Sequence, residues 1–459
     1  MSSGVPAHIT RSWVWRQSVP VAFANALGPV VGIVDTLVIG RYAGTLALAG
    51  IGLGAAIYGI VYWGFGFLKM STAGLAAQSE GAGDEAAVQA HILRAVPLGL
   101  GIGLVVFLLQ ALLLPLILGI YTASESIEAE AKLYLQARLW GLPATLGGIA
   151  LMGWFIGLGQ ARAAFLLQLA LNLVNGVLSV AFVVGLGWGI WGVGIASAVA
   201  EWAGFAAGLV LASGLVKRRG GRKAHSLATL AEPSAVRSLM GTNINIFIRT
   251  AALVFGFNFF ANAAANQGEV FLAGNHILMQ FITIVALVLD AYAHTAEAAV
   301  GAAYGAKSKA RFDRAVRLTG EFSVVSAVLI TLAIFALGPL LIDVMTTEEA
   351  VRESANRYLP WCALAPVLGF AAWQLDGIFI GATATRQMRN AGVAAVGLYL
   401  VFHYLLEPRF GADGLWVAFL LYYVARAVTL GAYYPGLRDE LKVSDNSVDV
   451  QRTPPISGA

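Results

Sequence analysis

Charge is what this sequence has least of. Of its 459 residues only 12% are Asp, Glu, Lys or Arg, where soluble domains carry about 25%. Hydrophobic residues make up 58%, and the mean hydropathy is +0.76. A chain this poor in charge cannot cover the surface of a water-soluble globule, so the solvent for most of it must be lipid. A single cysteine, Cys362, excludes an internal disulfide, and its apolar surroundings in the sequence mark it as core packing. No cysteine and histidine set has the spacing of a metal centre, and no glycine-rich phosphate loop with its lysine occurs, which argues against a one-chain ATP-driven pump. No cofactor is called for. The ten-residue alternating strands of a membrane β-barrel are missing as well. Glycine, by contrast, is abundant at 53 residues; between membrane helices, small residues let backbones approach closely.

The net charge of +4 does not point to nucleic acid, because the basic residues cluster in short loops between apolar segments and read as topology signals. Arg11 and Arg16 precede a long apolar run without a small-residue cleavage site, so the first segment is expected to be an uncleaved helix. About 20 apolar residues cross a bilayer, and twelve such stretches occur, at 18–40, 47–70, 92–118, 134–157, 163–187, 190–216, 239–264, 270–297, 316–342, 358–381, 388–408 and 413–435. With these spans, twenty Lys and Arg residues fall on the side that holds both termini. Six fall on the other: Arg41, Lys132, Arg138, Arg352, Arg357 and Arg409. The positive-inside rule makes both termini cytoplasmic.

Shifted by 224 residues, the chain matches itself. Leu48-Ala49-Gly50 falls on Leu272-Ala273-Gly274, Gly81 on Gly305, Thr122 on Thr346, Glu125 on Glu349, Ala131 on Ala355, Tyr134-Leu135 on Tyr358-Leu359, Phe155-Ile156-Gly157 on Phe379-Ile380-Gly381, and Arg162 on Arg386. One gapless offset implies an internal duplication. Because each repeat holds an even number of spans, the halves enter the membrane in the same orientation, as in transporters that rock two bundles about a central cavity. The expected fold is therefore an all-α integral membrane protein: twelve transmembrane helices in two six-helix bundles related by a pseudo-twofold axis along the membrane normal. The expected lobes are 1–216 and 239–437, with 217–238 a cytoplasmic linker and 438–459 a disordered tail.

Ionisable residues inside membrane spans are expensive, and each is a functional candidate. Lys69, Glu407 and Arg409 lie near helix ends and are expected to snorkel. In the second lobe, Asp290, His294 and Glu297 stand at i, i+4 and i+7, one face of a helix. Arg249 and Arg426 are available to compensate them, and Asp376 is a further acid; the six could form a self-neutralised network or a substrate cavity. The expectation is that Asp290 and Glu297 hold this lobe together through Arg249 or Arg426. In the first lobe, Asp35 and Glu201 are expected to have no base within their spans, Arg41 being about 9 Å further along at 1.5 Å per residue. A lone carboxylate in low dielectric takes up a proton or binds a cation, because leaving it bare costs several kcal/mol. Asn172, Asn175 and Ser179 add a polar stripe at i, i+3 and i+7, which can equally be helix-joining glue.

Val34-Asp35-Thr36-Leu37-Val38-Ile39-Gly40, the run from Leu289 to Glu297 followed by Ala303-Tyr304-Gly305-Ala306, and Leu375-Asp376-Gly377-Ile378-Phe379-Ile380-Gly381-Ala382 together resemble the multidrug and toxic compound extrusion (MATE) family, in its DinF-like branch. The resemblance runs to about residue 440. It implies a V-shaped pair of bundles in the inner (plasma) membrane, exporting cationic or amphipathic small organic compounds by antiport with protons or sodium. It also implies that Asp35, Asn172 and Asn175 form the cation-sensitive cluster. A second acid usual in the branch falls on Ser179, a departure for which Glu201 could substitute. The expected partners are small organic substrates, the coupling cation and the lipid bilayer, with the monomer as the functional unit. The alternatives are a selective organic-anion or metabolite exporter, which Arg249, Arg426 and His294 would suit, and a flippase for lipid-linked precursors. A membrane-embedded enzyme would have only Asp290, His294 and Glu297 to work with, and the chain reads as no enzyme.

Overall fold

The structure is a computed structural model that describes residues 4–121, 123–221, 223, 230 and 232–441. Thr122, Arg222 and the tail from residue 442 onward lie outside the described residues. The long apolar runs become helices because in lipid every backbone polar group must be satisfied within its own segment. In chain order these are α1 (Arg11–Tyr42), α2 (Gly44–Gly64), α3 (Phe67–Ala82), α4 (Glu85–Leu108), α5 (Gln110–Leu118) and α6 (Glu125–Arg138). A 3₁₀ turn (Leu139–Gly141) leads to α7 (Leu142–Gly157). There follow α8 (Ala161–Val180), ending in a π-helical turn (Ala181–Gly185), and α9 (Gly189–Arg218). The rest are α10 (Pro233–Ala265), α11 (Glu269–Gly305), α12 (Lys309–Met345), α13 (Glu349–Gly381) and α14 (Thr385–Gly431).

Among the described residues eleven helical stretches are long and apolar enough to span a bilayer, and the last of them is two spans. Gly411, at φ 57° and ψ −133°, breaks α14, and Pro408 nearby has no N–H to give a helix. The chain turns back so sharply that a β-carbon on Gly414 would strike the Leu406 carbonyl. The arms 385–410 and 412–431 then run antiparallel: Tyr399 stacks on Tyr422 at 4.9 Å, and the Thr429 hydroxyl donates to the Ala391 carbonyl at 3.2 Å. Twelve crossings result, as the hydrophobic pattern requires. The helices nonetheless overrun the apolar segments. The second crossing bends at Phe65–Gly66 and continues through α3 to Ala82, and α11 continues to Gly305.

The duplication is written in the backbone. Four turns carry a positive φ at the 224-residue offset: Gly44 and Gly268, Gly83 and Lys307, Gly159 and Thr383, Gly187 and Gly411. Lys307 and Thr383 hold this conformation without being glycine, which costs about 1–2 kcal/mol for a residue with a β-carbon. The helix caps repeat too. Asp84 accepts from the Ala87 N–H at 2.9 Å, and Ser308, its equivalent, accepts from the Arg311 N–H at 3.4 Å. So do the close approaches: Gly153 leaves room for the Lys69 carbonyl and Gly157 for that of Ala73, as Gly377 does for Ala293 and Gly381 for Glu297.

The chain forms two compact units, a first of 19–76 and 84–239 and a second of 1–18, 77–83 and 240–459. In the first, Trp154 and Phe155 of α7 fill a core with Val88 and Ile92 of α4 and Phe205 of α9, and the Trp154 indole donates to the Val88 carbonyl at 2.9 Å. The linker is not a free strand in its described part. Arg219 pairs with Glu85 at 2.5 Å, Gln89 bonds Gly221 and Lys223, and Arg94 bonds the Leu230 carbonyl. In the second unit, Phe260 stacks on Phe419 at 4.1 Å beside Trp416, and fully buried Cys362 lies in the same core with its thiol on the Leu278 carbonyl. The segment 434–441 is helical rather than part of a loose tail, and Arg438 binds both carboxylate oxygens of Asp313 at 2.7 Å. The outer faces stay apolar for lipid: on α12, Leu329, Leu332, Leu340 and Val344 are all more than half exposed.

The second unit also contains a crossing that the duplication maps onto itself. A β-carbon on Gly81 would strike the Ala302 carbonyl, and one on Gly305 would strike the Gln78 carbonyl. Both pairs keep the 224-residue offset, since Gln78 and Ala302 are equivalents, as are Gly81 and Gly305. The obstacle in each case is backbone, so side-chain rotation cannot relieve it. Gly305→Ala is therefore expected to lower stability by roughly 1–3 kcal/mol, the usual cost of overpacking. A thermal unfolding midpoint in detergent equal to that of the natural protein would show that the helices can part without cost.

Candidate functional site

In the first unit, α1 carries Asp35 into the buried interior, and two serines meet it. Ser179 of α8 donates to Oδ1 at 2.8 Å and Ser197 of α9 lies 3.4 Å from Oδ2. Asn175 does not touch the acid directly; its amide donates to the Ser197 hydroxyl at 2.8 Å, fixing the serine. Asn172 stands apart, donating to the Leu27 carbonyl of α1 at 2.6 Å. Asp35, Asn175, Ser179 and Ser197 are almost wholly buried. Among the described residues, no base forms an ion pair with Asp35. The π-helical turn Ala181–Gly185 begins two residues after Ser179, an irregularity often found at functional sites.

Glu201 is not alone, and here the sequence-based expectation is corrected. Its carboxylate accepts from Thr145 at 2.5 Å, from Tyr58 at 3.2 and 3.3 Å, and from the Arg138 guanidinium at 3.2 Å. At the start of the span 134–157, Arg138 reads in the sequence as a loop arginine, yet as the last residue of α6 it turns inward onto Glu201 of α9. Its guanidinium also sits over the Tyr58 ring, 4.1 Å from the centroid. Gly141 makes room for the assembly, since a β-carbon there would strike the Glu201 carboxylate and Ala198. Glu201 follows Ser197 by one helical turn, so the Asp35 group and the Glu201 group share α9.

In the second unit, both arginines that the sequence offers to Asp290 and Glu297 bind Asp376. Its Oδ2 accepts from Arg249 and, at 2.9 Å, from Arg426. Glu297 pairs with His294 at 3.0 Å on its own helix. The pairing of Asp376 follows from packing: it projects from α13 toward α14, which bears Arg426 and against whose Gly392 Arg249 rests. An aromatic wall of Trp373, Tyr422 and Tyr423 surrounds Arg426 at 5.7–6.0 Å. Asp290 is partly buried and close enough to Tyr423 to act on it electrostatically. Nearby, Arg389 donates to Asn245 at 3.0 Å, and Asn245 to Thr385 at 3.4 Å.

A family model described as MatE matches residues 20–181 and 246–405. The chain belongs to the MatE family. The two matched segments end 224 residues apart, the offset at which both sequence and backbone repeat. DNA damage-inducible protein F of Escherichia coli is 32% identical over 422 residues, covering 92% of this chain and 91% of its own, which bears out the DinF-like branch. The chloroplastic protein DETOXIFICATION 44 of Arabidopsis thaliana is 23% identical over 92% of this chain and 81% of its own. Two solved folds agree: a MOP superfamily transporter from Pyrococcus furiosus (TM-score 0.82, 18% identity, 94% of this chain and 96% of that one) and an outward-facing multidrug resistance MATE family transporter (TM-score 0.83, 18% identity, 94% and 96%).

This MatE chain thus has a duplicated backbone with unduplicated chemistry. At the 224-residue offset Asp35 stands opposite Phe259, Arg138 opposite Cys362, Ser179 opposite His403 and Glu201 opposite Ala425. In the other direction Arg249 faces Asn25, Asp290 Gly66, His294 Met70, Glu297 Ala73, Asp376 Met152 and Arg426 Trp202. Sequence reasoning missed Arg138, Tyr58, Thr145 and Ser197. Two signals were available: Ser197 and Glu201 at i, i+4 on one helix face, and the spacing i, i+3, i+7 of Arg138, Gly141 and Thr145.

Proposed function

We propose that the protein is a secondary antiporter that exports cationic or amphipathic small organic compounds across the inner (plasma) membrane in exchange for protons or sodium, rocking its two bundles and working as a monomer. Both termini and the 217–238 segment face the cytoplasm in this reading. The observation that carries it is Asp35: a carboxylate buried in a membrane-spanning helix, met by two serine hydroxyls and by no ion-paired base. Such a group is comfortable only with a proton or a small cation on it. Loading and unloading it changes the charge of a buried site, and an ion drives a conformational change through just such a difference in affinity between two states. Family membership supports the direction of transport. An organic anion would need Arg249 and Arg426, and both are engaged by Asp376, which counts against that alternative.

The test is transport in proteoliposomes with pH and sodium gradients imposed separately. One gradient is expected to drive accumulation of an amphipathic cation such as ethidium against its own gradient, and dissipating that gradient to stop it. Transport indifferent to both gradients would overturn the reading.

A further inference from the structure

Among the described residues close to Asp35, one further carboxylate and one guanidinium carry charge, so the excess in this cluster is a single negative charge. Around Asp35 of α1 stand Ser179 of α8, Ser197 of α9 with Asn175 bonded behind it, and, within electrostatic reach, Tyr134 and Arg138 of α6 and Glu201 of α9. Of these only Arg138 and Glu201 carry charge, and both lie within electrostatic reach of Asp35. Arg138 gives one nitrogen, Nη2, to Glu201, while its Nε and Nη1 are buried without an acceptor. A guanidinium has five N–H groups in a rigid fork, so Arg138 holds its anchor with one prong and has donors to spare.

We propose that Arg138 is a tethered cation that sets the coupling site to take up one monovalent cation and no more, with Glu201 the anchor that keeps the guanidinium off Asp35. The inference rests on the reading of Asp35 as the coupling acid. Arg138 acts through Asp35 and is a positioning residue for the exchange. With Glu201 ionised, the guanidinium is neutralised where it sits, and Asp35 remains the one acid whose charge a mobile cation must balance. Without Glu201 the arginine becomes a permanent counter-ion for Asp35, and the mobile cation loses its place. Without Arg138 two bare carboxylates share the interior, and the site binds cations more tightly than the cycle can release them. Thr145, Tyr58 and the gap at Gly141 serve the same end by holding the Glu201 carboxylate at Arg138.

The test reads gradient-driven export of ethidium in proteoliposomes as a function of the concentration of the driving cation. It compares the natural protein with Glu201→Gln, Arg138→Met, the double variant, Arg138→Lys and Asp35→Asn. Glu201→Gln is expected to abolish gradient-driven export. Arg138→Met is expected to shift half-maximal cation dependence by on the order of tenfold or more toward lower concentration, the usual reach of one nearby charge. The double variant, which restores the single excess negative charge, is expected to recover coupled export with the natural cation dependence. A pair with a merely structural role would move stability and leave the cation dependence of any folded variant where it was. Arg138→Lys keeps the charge while surrendering the fork, and is expected to retain the natural dependence; if Arg138→Met does not fold, recovery of coupled export on going from Glu201→Gln to the double variant decides. Export by Glu201→Gln at the natural rate and cation dependence, while Asp35→Asn is dead, would overturn the tethered-cation role alone. Gradient-driven export by Asp35→Asn would instead overturn the reading on which it rests.

Discussion

Asp376→Asn is expected to cost the second unit about 3–5 kcal/mol, the usual penalty for removing one partner of a buried ion pair. Two guanidinium groups, Arg249 and Arg426, converge on Oδ2 of this one carboxylate, and all three side chains are at most 14% exposed. With asparagine in its place, two like charges face each other in a poorly solvated interior, and the amide offers one neutral acceptor where a full negative charge stood. The aromatic wall of Trp373, Tyr422 and Tyr423 can hold Arg426 by cation–π attraction worth about 2 kcal/mol or more when desolvated, which softens the loss without removing it. Thermal unfolding in detergent checks this: a clear drop for Asp376→Asn, partly recovered in Asp376→Asn/Arg249→Met, where a single arginine remains. An unchanged midpoint in the single variant would mean that the arginines find water or other acceptors, and that Asp376 is free to serve transport instead.

The twelve crossings and the duplication were legible in the sequence because both depend on quantities that survive without a structure. Span length follows from bilayer thickness, and a gapless repeat fixes the position of every turn, so the glycines at 44, 159 and 187 announce turns at 268, 383 and 411. Even where Lys307 and Thr383 replace glycine, the repeat keeps the left-handed backbone. Pairing was not legible in this way. The i, i+4, i+7 stripe of Asp290, His294 and Glu297 places three polar groups on one helix face, yet it does not say which helix that face meets. The stripe therefore gives no sign of Asp376, which binds both arginines from a different helix.

Arg138 was misread for a related reason. Counting arginines to orient the chain treats a residue at the edge of a span as belonging to a loop, and at Arg138 the span edge is a 3₁₀ turn that dips inward. Ser197 carried no signal of its own, being one small residue in a helix rich in glycine and alanine. Only its spacing to Glu201 tied it to the site. None of the charged site residues has a charged counterpart in the other repeat. Duplication supplied the scaffold twice, and the substitutions made afterwards gave the first unit an acid relieved by hydroxyls and the second an acid saturated by arginines.

That contrast sets the last expectation, in which the same chemical change has opposite consequences in the two units. Asp35→Asn keeps the size of the side chain; its amide oxygen can accept from Ser179 while its amide nitrogen donates to the Ser197 hydroxyl, so the packing around α1 can persist. What disappears is a buried charge without an ion-paired base, which is a cost to the fold rather than a support. Stability should hold or rise, where Asp376→Asn lowers it. Transport should respond in the opposite way. With one cation exchanged per substrate, a gradient of one pH unit, or tenfold in sodium, is worth about 1.4 kcal/mol and can sustain at most about a tenfold substrate accumulation. Asp35→Asn cannot exchange a proton or a cation at that position, so accumulation should fall to none, while substrate binding to the purified protein remains measurable. The diagnostic result is the combination: a midpoint at or above that of the natural protein, retained binding, and no response to either gradient. If the variant instead loses stability as Asp376→Asn does, Asp35 is a structural acid. If it keeps pumping, the cation is carried elsewhere, and the His294 and Glu297 pair of the second unit is the next place to look.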